Sequence, residues 1–248
     1  MRIPRKITPD GLTDAVVVIA YEAADIPLEN LEEQFEQVFR AQGFQQLSAD
    51  KQETAEGQPV AVTYSNVDGL IVGSRLGQIG FNGVPASGEP LAKAGPYIGW
   101  TAYRQLLSSI LEPLIVTNVM KDWSLVVVRY INILPWLPVA EQLRMAPAFP
   151  MPEGLTAAPT FEYRLNWPVT DDGFRIRLRL TDQARRPDET AERGTLFDVE
   201  VTLQRNGVGF TNLQEAIELA HQKQKEVFFG LLSPTFLDSL QPEYDTPS

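Results

Sequence analysis

Hydrophobic residues along the chain alternate between short continuous runs and segments in which an apolar residue recurs every third or fourth position. The first run, at 15–21, has the composition of a buried strand. The acid and proline at 25–27 predict the start of a helix, and the apolar periodicity that follows ends at Gly43. Three short strands are predicted next, at 60–64, 70–74 and 78–81.

A second helix is predicted at 98–112, and a long apolar strand at 123–133 follows it. Pro113 is expected to limit the end of this helix, because proline disrupts a helix interior. The next segments are predicted to be a short helix at 138–145 and a proline-rich linker at 146–159.

Three later segments alternate strictly between apolar and polar residues. Their apolar members are Phe161, Tyr163, Leu165 and Trp167, then Phe174, Ile176, Leu178 and Leu180, then Phe197, Val199, Val201 and Leu203. This alternation is typical of antiparallel strands with one buried face. A long final helix is expected after them, capped by Thr211 or Asn212, and residues 241–248 are expected to be frayed.

Together these elements predict an α+β protein with a mainly antiparallel sheet and long helices. The two parts of the chain, 1–118 and 119–248, have similar element orders, β-α-β-β-(β)-α and then β-α-β-β-β-α. Both open with a valine-rich strand that is followed by a helix beginning at a proline. We therefore expect two α+β halves packed together as one unit, and an internal pseudo-duplication would explain their similarity.

Composition narrows the range of functions. The 248 residues carry a net charge of −11, which argues against a general nucleic-acid surface, because such binding needs lysine and arginine to neutralise phosphates. The chain has no cysteine and one histidine, so thiolate sites and histidine-rich metal motifs are excluded, and we expect no metal and no cofactor. No signal-peptide core and no run of about 18 apolar residues is present, so a cytoplasmic protein without a membrane span is expected.

The second valine-rich strand contains polar residues inside an apolar run. Alternation places Arg129 on one face and Tyr130 and Asn132 on the other. Burying such groups costs about 1–3 kcal/mol each unless they are hydrogen-bonded. Two interpretations remain open: a structural network, in which Glu22 or Glu112 neutralises Arg129, and a ligand-binding site.

A row of arginines marks one face of a later strand. The row consists of Arg175, Arg177 and Arg179. Together with Arg164 on a neighbouring strand, it could bind phosphate or carboxylate groups. It could equally form cross-strand ion pairs with Asp198 and Glu200, which is the common arrangement on a solvated sheet.

The segment 182–194 is dense in charged residues, including Arg185 and Arg186. It is predicted to be a long mobile hairpin loop. Such a loop is either a solvated excursion or, together with the arginine row, a surface that binds a partner.

His221 is the only histidine, and it lies beside the apolar stripe of the final helix. It can be a hydrogen-bonded edge residue or a general base near neutral pH. Glu218 and Glu226 are poorly placed to assist it, at i−3 and i+5 on the same helix, so a hydrolase is the less favoured interpretation. A binding pocket between sheet and helices would instead be formed by Trp100, Tyr130, Asn132, Trp167 and His221, and Arg129 is a further candidate binding residue.

Gly99-Trp100 at the start of a helix and Arg129-Tyr130-Ile131-Asn132 on the next strand resemble the motifs of a sporadically distributed prokaryotic family of similar length and unknown function. That family also has a C-terminal helix with a histidine or aromatic residue followed by phenylalanines, which correspond here to His221, Phe228 and Phe229. The resemblance spans nearly the whole chain. Its patchy distribution implies, by analogy, an accessory role in a mobile or defence-linked system.

These patterns favour a non-catalytic binding protein whose partner is another protein, which could be encoded beside it. The acidic surface would dock on a basic partner through electrostatic steering. A small-molecule sensor with a pocket between sheet and helices is the alternative.

Overall fold

The computed structural model describes residues 2–8, 11–23, 28–48, 62–66, 70–75, 77–83, 97–144, 161–168, 173–185, 193–209 and 213–244. The strands in these segments are β1 Leu12–Ala23, β2 Gln45–Ser48, β3 Val62–Ser65, β4 Ile71–Arg75, β5 Gln78–Asn82, β6 Met120–Pro135, β7 Glu162–Trp167, β8 Phe174–Arg185 and β9 Arg193–Gly209. The helices are α1 Leu28–Ala41, α2 Trp100–Val116, α3 Val139–Gln142, α4 Leu213–Leu231 and α5 Pro234–Ser239.

All nine strands form one antiparallel sheet with the order β2-β3-β4-β5-β1-β6-β9-β8-β7. This confirms the α+β class with a mainly antiparallel sheet. The two valine-rich strands β1 and β6 pair at the centre. Outward from β1 the order is β5, β4 and β3, and outward from β6 it is β9, β8 and β7, so both sides have the same order, with β2 added beyond β3.

The helices pack against one face of this sheet, where alternate strand residues are buried. Examples are Val17 and Ile19 on β1, and Val126 and Val128 on β6. These residues share one apolar core with the buried sides of α1, α2, α4 and α5. No helix in the described segments covers the opposite face, which we call the open face. Its residues include Val16, Val18, Val127, Arg129, Ile131, Arg164, Arg175, Arg177, Arg179, Asp198 and Glu200.

Helix α2 extends beyond the predicted end, so the expectation that Pro113 limits it is wrong. Pro113 lies inside the last turn, where its carbonyl still accepts a hydrogen bond from the Thr117 N–H at 2.9 Å. The additional turn buries Leu114 completely, which favours continuing the helix.

The expectation of a mobile loop over 182–194 is also wrong at both of its ends. Strand β8 runs to Arg185 and β9 begins at Arg193, and residues 186–192, including Arg186, lie outside the described residues. Arg193 donates hydrogen bonds to Asp182 that join the strands at this point, at 2.6 Å to the carboxylate and 3.0 Å to the carbonyl. Two of the charges that suggested a solvated loop, those of Asp182 and Arg193, are therefore partners of each other.

The C-terminal segment is better ordered than expected, since the backbone of Glu243 bonds to that of Lys6 and Arg5. The expected fraying is thus wrong for 241–244, whereas 245–248 lie outside the described residues. The predicted caps Thr211 and Asn212 and the linker at 146–159 also lie outside the described residues. Helix α5 was not predicted, because six residues are too few for a clear periodicity.

Candidate functional site

An aromatic cluster lies between α2, α4 and the centre of the sheet. The rings of Trp100 and His221 stack with centroids 3.7 Å apart and planes 14° from parallel. Tyr130 reaches this pair from β6, with its ring 5.5 Å from that of His221. The Tyr97 and Tyr130 hydroxyls form a hydrogen bond of 2.8 Å. The structure thus brings together three of the predicted pocket residues, but they fill the space between the elements by packing on one another.

The outer rim of this aromatic cluster is held by Glu218. Trp100 Nε1 donates to Glu218 Oε2 at 2.9 Å, and Arg104 donates to the same oxygen at 2.6 Å. Burial alone would raise the pKa of Glu218, but these two hydrogen bonds and the positive charge of Arg104 act against it, and the pKa is held below its ordinary value. Glu218 is therefore ionised, and its hydrogen bond fixes the indole ring of Trp100, on which His221 stacks.

His221 is buried, with 5% of its surface exposed. Burial lowers its pKa to about 3, and the positive charge of Lys225 acts in the same direction. Its Nδ1 atom makes no hydrogen bond to any residue that the structure describes. The imidazole is thus neutral at pH 7 and is held by stacking. A group with so low a pKa is a weak general base near neutral pH.

Arg129 lies on the open face, away from the aromatic cluster. It forms two parallel hydrogen bonds of 2.8 Å to the carboxylate of Asp198 on β9. The expected partners are therefore wrong. In the β1–β6 register Glu22 lies opposite Asp122, near the other end of β6. Glu112 lies on α2, on the other side of the sheet from Arg129. Strand β9 lies beside β6, and the register between the two strands brings Asp198 within reach of Arg129.

The remaining predicted pocket residues do not join the aromatic cluster as a set. Asn132 is buried on the helix side of β6, next to Phe197 in the sheet register. Trp167 lies on β7 at the edge of the sheet, three strands from β6, and is 40% exposed. The structure therefore separates Trp167 and Arg129 from Trp100, Tyr130 and His221.

The open face contains a hollow of about 430 Å³. Its charged lining consists of Arg129, Arg164, Arg177, Arg179, Asp198 and Glu200. Arg177 contacts Glu200 at 3.2 Å, and Glu162 accepts hydrogen bonds from Arg164 at 2.8 Å and from Arg179 at 3.0 Å. Cross-strand ion pairs are thus present, as one interpretation of the arginine row predicted. The arginine heads are nevertheless exposed and can offer further N–H donors to a ligand.

Two other arginines of the predicted partner surface differ in position. Arg175 is exposed on the open face opposite Thr202, and it has no ion-pair partner in the described segments. Arg185 lies opposite Arg193, beyond an irregularity in the β8–β9 register. Neither of them lines the hollow, although Arg175 lies on the same open face.

Sequence reasoning missed Tyr97 and Arg104, which complete the aromatic cluster and its rim. Tyr97 follows a glycine- and proline-rich stretch that gives no periodic signal. Arg104 stands one helical turn after Trp100, so the two can reach the same carboxylate, and this i, i+4 spacing was the available clue.

The chain matches no protein-family model and no curated protein. Among the described residues there is no cluster of three or more histidine, aspartate or glutamate side chains that could hold a metal ion. None of the described helices is long and apolar enough to cross a membrane.

Proposed function

We propose that this protein is a non-catalytic binding protein that engages a protein partner through the open face of its sheet. The observation that supports the proposal is the one-sided covering of the sheet. The described helices pack on one face, and the other face presents an arginine-lined hollow beside half-exposed apolar side chains. A large sheet face with this composition is suited to contact with another macromolecule.

The centre of the open face supplies apolar contact area. Val16 and Val18 on β1 and Val127 and Ile131 on β6 are half-buried there, in adjacent rows of the sheet. Next to them Arg129 is fixed by two hydrogen bonds to Asp198. Interface hot spots combine apolar burial with arginine, and a side chain that is already ordered loses less entropy on binding. The open face has both properties.

The charges of the protein support selective binding of a partner at the open face. The chain carries a net charge of −11, which favours a partner that is basic overall. The hollow presents four arginines and two carboxylates, so it selects a partner that places its own charges in a matching pattern.

The proposal extends to the biological setting that the sequence resemblance implies. We place the protein in the cytoplasm of a prokaryote, as a member of the sporadically distributed family with the Gly-Trp helix and the R-Y-I-N strand. Its role there is accessory, in a mobile or defence-linked system, with a partner encoded nearby. The chain consists of two pseudo-duplicated halves, which the matching strand orders on the two sides of β1 and β6 support.

The test is native mass spectrometry of the protein purified gently from cells that express its genomic neighbours. The open-face variant is Arg177→Glu, and the matched control is Arg40→Glu on α1. The two side chains are 57% and 67% exposed, and each is paired with one glutamate. We expect a partner at fixed stoichiometry on the wild type and on Arg40→Glu, with affinity reduced about tenfold or more by Arg177→Glu. Equal retention by both variants would contradict the proposal.

A small-molecule sensor is the second candidate, and one observation favours it. The Nδ1 atom of His221 is buried inside the aromatic cluster without a hydrogen-bond partner among the described residues, and polar atoms in such places often bind a ligand or water. A thermal-shift screen with a metabolite panel checks this candidate, because a ligand of the native state raises Tm. A Tm increase that His221→Phe removes and Arg177→Glu leaves intact would favour the sensor.

A further inference from the structure

We propose that strand β7 is the docking edge for an extended segment of the protein partner in which apolar and acidic residues alternate, and that this segment adds to the sheet as a tenth strand. The inference rests on the proposed function and deepens it, because it names the chemistry of the partner at one border of the open face.

Strand β7 is a regular sheet edge. Among the described strands it pairs only with β8, and its register runs without a shift from Glu162 opposite Thr181 to Trp167 opposite Ile176. Within the described segments no strand pairs with its other side. Proteins normally protect such edges with bulges or inward charges, since a straight edge offers unpaired N–H and C=O groups to another chain. Strand β7 has no bulge.

The two sides of the sheet support this assignment through their common strand order. The strand that corresponds to β7 on the β1 side is β3, the third strand outward from the centre. There the sheet continues by one further strand, since β2 pairs with the outer edge of β3. The architecture therefore accommodates an added strand at this position, and β7 is the side on which the described chain supplies none.

Apolar side chains on β7 are partly exposed, and another strand could cover them. Leu165 is 45% exposed and Trp167 is 40% exposed, although both point to the helix side of the sheet. Tyr163 continues the same row and is half-buried. Side chains directly opposite on neighbouring strands contact each other, so apolar residues of an added strand would cover this row.

On the open face, the charges of β7 favour acidic residues in an added strand. Arg164 is directly opposite Arg179 in the register, and like charges in this position are destabilising. A single carboxylate, that of Glu162, bridges the two guanidinium groups. On β7 and β8 the open face thus carries four arginines, Arg164, Arg175, Arg177 and Arg179, and one glutamate. A carboxylate placed opposite Arg164 by an added strand would relieve this excess of positive charge.

A second copy of this chain fits the edge less well. In a two-fold antiparallel pairing of β7 with itself, the registers that use most of the strand place Arg164 either opposite its own copy or diagonal to it. Both arrangements bring two arginine-rich edges together. An acidic segment has no such penalty, so we assign the edge to it.

The test uses a fluorescein-labelled synthetic peptide of about seven residues in which valine and glutamate alternate, and a second peptide with lysine in place of glutamate. Binding to the full chain is measured by fluorescence anisotropy. We expect Arg164→Glu to weaken binding of the glutamate peptide about tenfold or more and to strengthen that of the lysine peptide. The control Arg40→Glu changes neither.

A second pair of variants keeps the test decisive if Arg164→Glu does not fold. Leu165→Lys should weaken the glutamate peptide similarly, whereas Val116→Lys, at an 84% exposed position on α2, should not. The assignment would be overturned by equal affinity for the two peptides or by no binding at about 1 mM peptide. A dimer of this chain that Leu165→Lys dissociates would overturn it as well. A partner that survives Arg164→Glu and Leu165→Lys in native mass spectrometry but is lost with Arg177→Glu would leave the proposed function standing without this edge.

Discussion

Between pH 6.5 and about pH 5 the titration of His221 should lower the free energy of unfolding by about 1.6 kcal/mol, and the variant His221→Phe should lack this contribution. Burial holds the pKa of folded His221 at about 3, well below its ordinary value of 6.5. Between these two pH values the unfolded chain binds a proton that the folded chain does not. The stabilisation is therefore complete above the unfolded pKa and is lost as the pH falls toward the folded one.

Urea unfolding at several pH values measures this effect. Phenylalanine keeps an aromatic ring against Trp100, so the slope with pH, rather than the stability at pH 7, isolates the titration. Glu218, with its lowered pKa, loses its own contribution only as the pH falls below its ordinary value of 4.5, so it acts at lower pH than the histidine window. Equal slopes for the wild type and His221→Phe above pH 5 would refute the buried, neutral histidine.

The second large effect is expected at Asp182, where Asp182→Ala should lower the free energy of unfolding by about 3 kcal/mol. Its carboxylate is almost completely buried and accepts hydrogen bonds from the Phe161 N–H at 3.0 Å and from Arg193 at 2.6 Å. The substitution leaves a backbone N–H and a guanidinium group without these partners. Since Phe161 immediately precedes β7, the docking edge should weaken as well.

The controls for this prediction are Asp182→Asn and Asp238→Ala. Asparagine keeps an oxygen for the Phe161 N–H and should lose less stability than alanine does. Asp238 is exposed on α5, and its replacement should change stability by no more than about 0.5 kcal/mol. If Asp182→Ala is no more destabilising than Asp238→Ala, the interpretation of the Asp182 bonds is wrong.

Local patterns predicted much of the fold. Strict alternation identified the strands β7, β8 and β9, because the period of two is visible in the sequence, although only β8 and β9 have a buried face. The same periodicity placed Tyr130 and Asn132 on the face of β6 opposite to Arg129, and the structure buries both of them. These features depend on residues that are close together in the chain.

Features that depend on strand order could not be predicted in this way. Arg129 binds Asp198 because β9 lies beside β6, and no local pattern indicates that neighbour. Trp167 has the alternation of a core residue, but its strand lies at the edge of the sheet, where the described helices do not cover it. Which residues share a site depends on the whole topology, and this explains why the predicted pocket residues do not form one site.

Photo-crosslinking distinguishes binding through the open face from binding through the helical side. A benzophenone amino acid replaces Arg175 on the open face or, as the control, Leu219, which is exposed on α4. We expect the co-purifying partner to cross-link efficiently from position 175 and not from position 219. Cross-linking from 219 without cross-linking from 175 would show that the partner binds the helical side, which would contradict binding through the open face.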